Sequence, residues 1–167
     1  MNKTQILIST LLLLGFAATL AIGRAVAQAN LASQSSPQNA PFTWKRVVHL
    51  HDGRTFISDG AIALDVESVK PADRPKPGLP EASSNIIEGY LNAQLPDECA
   101  LSKLTRRGEA YAAPNGVTLN PTYIEYLRRT LPESRVRLRM KGLTEPVVIL
   151  LDGKPIGLLM PMRSVNP

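Results

Sequence analysis

The chain has 167 residues, with 19 Lys and Arg against 14 Asp and Glu, and a single cysteine. That length suits one domain rather than two. One cysteine excludes an intramolecular disulfide, so stability has to come from an apolar core, which a chain of this size can bury.

The first residues read as a targeting segment. Met1 to Gln5 carries one cation, Lys3; Ile6 to Gly23 is apolar apart from Ser9, Thr10 and Thr19; Ala25-Val26-Ala27 follows Arg24. A short positive start, an apolar stretch and a small-x-small site predict a secretory signal peptide over residues 1–27, cut after Ala27 or in the next register after Ala29. The competing expectation is an uncleaved membrane anchor formed by residues 6–23, whose 18 residues are near the shortest span of a bilayer. No cysteine adjoins the site, which argues against a lipoprotein anchor. Either way the domain is expected outside the cytoplasm, in a periplasmic or extracellular setting. Without Lys3 and Arg24 the net charge falls from +5 to +3, and six cations fall between Arg128 and Lys141 against Glu133 alone. The basic balance is therefore a local patch.

Residues 28–41 are small and polar without periodicity, as in a flexible tether. A single α+β domain is expected over 42–163, built on a mostly antiparallel sheet of five or six strands with two or three packed helices. Phe42 to Leu50 predicts a strand, Asp52-Gly53 a hairpin turn, and Thr55 to Ser58 the return. Asp59-Gly60 turns again into a third strand over Ala61–Val69, with Ile62, Leu64 and Val66 on one face and Asp65 and Glu67 on the other. Pro71, Pro75, Pro77 and Pro80 make Lys70–Ser84 an extended crossing loop that cannot enter a ladder. A helix is predicted over Asn85–Leu95, with Ile86, Ile87, Tyr90 and Leu91 at helical spacing, Asn85 and Glu88 as a cap pair, and Pro96 as the stop. A second short helix from Asp97 to Leu104 would place Cys99 near its start, where a thiol can be activated; Asp97 and Glu98 oppose that, and a buried small hydrophobe is the plainer role. Residues 106–118 read as loop. Asn120-Pro121 starts a helix over Thr122–Leu131, stopped by Pro132.

The end of the chain carries the strongest pattern. Arg135 to Lys141 alternates, with Val136, Leu138 and Met140 on one side and Arg135, Arg137, Arg139 and Lys141 on the other, the period of a half-buried strand. It is expected to edge the sheet. Pro146 to Met160 reads as two apolar strands around Asp152-Gly153, covered on both faces and central in the sheet. Pro155 removes one amide donor, and Gly157 signals a bulge or a close approach. This run resembles the strand–turn–strand hairpin of CBS modules and Phd-type antitoxins. The resemblance covers about 15 residues and implies a hairpin, with no function attached.

Three groups of residues could carry chemistry. His49 and His51 share a strand face beside Asp52, the spacing of a zinc, copper or nickel pair, with Asp52 or Asp59 as third ligand. The alternative is two polar residues on the solvent face of a hairpin. The row Arg135, Arg137, Arg139 and Lys141 could contact an anionic polymer, a lipid surface or an acidic protein; the alternative is cross-strand pairing with Asp65 and Glu67. Nucleic acid is disfavoured by export and by the lack of interleaved aromatics. Nucleophile, zinc-protease and phosphate-loop motifs are absent, and no cofactor is implied beyond a metal at the histidines. The expected function is a non-enzymatic exported accessory protein that binds a partner. A small metal-dependent or otherwise unrecognised enzyme is the alternative.

Overall fold

Alternation and turn chemistry predict a sheet built from hairpins, and hairpins form it. A computed structural model describes residues 41–163; the expectations for residues 1–27 and for the tether up to residue 40 lie outside the described residues. No helix among the described residues is long and apolar enough to cross a membrane.

The strands are β1 (Arg46–His49), β2 (Thr55–Ser58), β3 (Ile62–Asp65), β4 (Asp97–Ala100), β5 (Thr105–Arg107), β6 (Ala110–Ala112), β7 (Thr118–Leu119), β8 (Val136–Met140), β9 (Val147–Leu151) and β10 (Lys154–Leu159). Two α-helices join them, α1 (Asn85–Leu91) and α2 (Pro121–Thr130). The main sheet has seven strands in the order β1-β2-β3-β10-β9-β8-β4, one more than the largest number expected, and β5-β6-β7 form a second sheet. Every ladder pairing in both is antiparallel.

The β9–β10 hairpin lies in the middle of the main sheet, as its apolar runs require. Asp152 and Gly153 take φ values of 51° and 78°, which suit the right-handed twist of the two strands. Val147 and Ile149 face one side of the sheet and Val148 and Leu150 the other, all buried. The register shifts between Pro155 and Gly157, so the missing donor of Pro155 falls at an irregularity. Gly157 is a close approach: a Cβ there would lie 2.5 Å from Leu64 Cδ2 and 2.6 Å from the carbonyl oxygen of Ala63.

The two sides of the sheet are covered unequally. One side packs against α2 and the small sheet, and its core holds 22 buried residues, among them Ile57, Leu64, Ile124, Leu127, Leu138 and Ile149. The other side holds nine, and the helical cover over it is α1, through Ile87 and Leu91. Seven helical residues rise only about 10 Å.

Several expectations need correction. Asp97–Ala100 is a strand rather than a helix start, followed by a 3-10 turn over Leu101–Lys103. Pairing of Glu98 with Arg139 and of Cys99 with Leu138 outweighs the local capping preference of Asp97. β4, not the basic strand, is therefore this edge of the sheet. Residues 106–118, read as loop, contribute to β5, β6 and β7, whose two or three residues are too short for any period to show. The third strand ends at Asp65, because that carboxylate accepts from the Glu67 amide at 3.1 Å and caps a 3-10 turn over Val66–Ser68. Helix α1 stops at Leu91, and Ser84 sits at its N-cap without a side-chain bond. The proline-rich loop does touch the sheet: the amide of Val47 donates to Pro80 O and that of Ala82 to Val47 O, at 3.0 and 2.9 Å. Proline can take that place because only its carbonyl is used.

Candidate functional site

The features that could bind something gather on the thinly covered side, around α1. Ile86 and Ile87 are adjacent, so a helix can turn only one of them to the sheet. Ile87 is buried, and Ile86 is left 70% exposed. It forms the rim of an apolar groove of about 180 Å3 whose walls include Val48, Ala63, Ile87, Leu158 and Met160. Met160 is itself 42% exposed. Arg46 also borders this groove and has no ion-pair partner among the described residues.

The middle of α1 is held by the β1–β2 turn. The Glu88 carboxylate accepts from the His51 amide at 2.7 Å and lies 2.8 Å from His51 Nδ1. The amide bond, then the ring, holds the Glu88 carboxyl below the usual glutamate range. This use of Glu88 replaces the cap pair expected with Asn85.

The candidate metal residues are not brought onto one centre. His49 Nδ1 is 3.0 Å from Thr55 Oγ1 and its Nε2 is 3.6 Å from Glu81; His51 engages Glu88; Asp52 binds the Arg54 guanidinium at 2.7–2.8 Å. His49 ends β1, while His51 lies in the following turn, so the two do not share a strand face. Asp59, the other proposed ligand, caps its own turn and accepts from the Tyr123 hydroxyl at 2.7 Å. Among the described residues no group of three or more His, Cys, Asp or Glu is placed to hold a metal ion.

Arg137 and Arg139 of the basic row lie on the same side of the sheet as α1, opposite residues of the core that α1 covers. Lys141 borders a recess together with Asn85, Gly89 and Tyr90 of that helix. Val136, Leu138 and Met140 are buried on the thick side, as the alternation predicts. Arg137 and Arg139 stand opposite Leu150 and Val148 and share one carboxylate, Glu98. Arg135 lies in a 3-10 turn just before β8 and makes a two-pronged contact with Asp152 of the hairpin turn. Lys141 is 3.5 Å from Glu145. Three carboxylates thus answer four cations. The Arg137 bond, then that of Arg139, lowers the Glu98 carboxyl, and the Arg135 bond lowers that of Asp152. The expected partners, Asp65 and Glu67, are not the ones used: β9 and β10 separate β3 from β8, a gap of roughly 14 Å at the spacing of paired strands.

Cys99 is half-buried on β4, and burial pushes its thiol up, which opposes activation. The groove and its rim were missed by reading residues for charge and ligand chemistry. The adjacent isoleucines at 86 and 87 were the available signal.

No protein-family model matches the chain, and comparisons with curated proteins and with solved structures find no match.

Proposed function

We propose that this chain is an exported, non-enzymatic accessory protein whose α1 side docks an amphipathic segment of a partner protein. The observation that carries this reading is the apolar groove, with Ile86 and Met160 standing exposed on its rim. Exposed large apolar side chains around a recess are the usual mark of an interaction surface, whereas scattered ones are not. Arg46 at the border, with no ion-pair partner among the described residues, favours a carboxylate on the incoming segment. The charge row favours contact with an anionic polymer less, since Glu98, Asp152 and Glu145 already face it.

Site-specific photo-cross-linking in the producing cell tests the proposal. A photoreactive residue at position 86 should give a discrete adduct with one envelope protein. The same residue at Lys103, among the residues that join β4 to β5, should not. The partner identified from that adduct, once purified, should bind the Ile86→Glu variant at least tenfold more weakly. Equal adduct patterns from the two positions would overturn the proposal.

A further inference from the structure

Helix α1 contains a glycine that packing does not explain. Gly89 is helical, without the positive φ that would demand glycine, and a Cβ built on it would meet nothing within 4 Å. An alanine would fit there and would favour the helix. What lies over Gly89 is an open recess of about 540 Å3, separate from the apolar groove and sharing only Ile86 with it. That volume is within the range of small-molecule sites. Asn85, Tyr90 and Gln94 line it, and none of their side chains hydrogen-bonds to another described residue. The remaining charged lining is Lys141 with Glu145, 3.5 Å apart and mutually neutralising.

We infer that this recess is a binding site for a neutral saccharide, with Gly89 kept small so that a sugar ring can approach the helix backbone. The lining fits that class by chemistry. The planar amides of Asn85 and Gln94 can each donate and accept, as hydroxyl-rich ligands require. Tyr90 offers a half-buried ring face and a hydroxyl tip. The Lys141–Glu145 pair supplies donors and acceptors without a net charge that would select an ion. The site stands beside the groove and does not depend on it.

Amide chemical-shift titration of the full-length 15N-labelled chain tests the inference. Three neutral probes, cellotriose, maltotriose and triacetylchitotriose, are compared with anionic trigalacturonate. At least one neutral probe should shift the amides of residues 85–95 and 141–145 saturably. Gly89→Leu should abolish those shifts while keeping a folded spectrum. Gly89→Ala should weaken binding severalfold yet raise Tm by about 2–4 °C, since the helix gains where the ligand loses. The inference is overturned by no saturable shift with any neutral probe, by shifts that survive Gly89→Leu, or by binding of trigalacturonate alone. These outcomes are independent of cross-linking at position 86.

Discussion

The two sides of the main sheet use the same strands for different ends. On the thick side, α2 and the small sheet seal a core in which Val136, Leu138, Val147 and Ile149 are fully buried. On the thin side, seven helical residues cover Val148, Leu150 and Leu158, and the sheet continues past them into Arg137 and Arg139. β8 shows the contrast within five residues. Its even positions are apolar and buried in the thick-side core, and its odd positions, Arg137 and Arg139, are charged and pair with Glu98. Burial holds the fold on one side and leaves the other with an open groove, a recess and exchangeable ion pairs.

Cutting into each side of β8 should separate the two sides by size of effect. Leu138→Ala removes a fully buried side chain and should cost about 2–5 kcal/mol in urea-induced unfolding. Gly157→Ala should come next. Its new Cβ meets a backbone carbonyl that cannot swing aside, so a loss of about 1–3 kcal/mol is expected by calorimetry. Arg137→Ser and Arg139→Ser should each cost less than about 1 kcal/mol, because both pairs are partly exposed to solvent, which screens them. Comparable losses from Leu138→Ala and Arg137→Ser would erase the distinction between the sides.

The smallest effect is one of pH. The carboxyl groups of Glu98 and Asp152 are lowered in the folded protein by their arginines. The unfolded chain therefore binds protons first, and stability rises with pH through this range. Their contribution is fully present above the ordinary carboxylate values and is lost as pH falls through the depressed folded ones. Tm measured against pH should show that acid-side slope. Removing Arg137, the largest cause at Glu98, should flatten it in the Arg137→Ser variant.

Much of the fold was legible in local pattern, and the exceptions share a cause. Asp152-Gly153, Asn120-Pro121 and the alternation of Val136, Leu138 and Met140 are local signals, and the structure uses each as read. Asn120 indeed accepts from the Thr122 amide at 2.9 Å. Asp97–Ala100 failed because its partners are 37 to 43 residues away in sequence, at Arg137–Met140. Glu88 failed likewise: its spacing from Asn85 suggested a cap, while its actual partner is His51, 37 residues earlier in sequence. The site was less legible than the fold. Charge draws attention to the arginine row, but charge in sequence does not disclose that Glu98 already bridges two of its members. The groove depends on which of Ile86 and Ile87 faces the sheet, and only the packing of α1 decides that.

The exposed rim of the thin side is not required to hold the fold. Equilibrium urea unfolding of Ile86→Glu against the parent chain tests it most directly. A side chain 70% exposed on a helix should change stability by less than about 0.5 kcal/mol, as surface substitutions do. A loss of about 2 kcal/mol or more, in the range of a core truncation, would show that Ile86 belongs to the packing of the domain and would contradict the account.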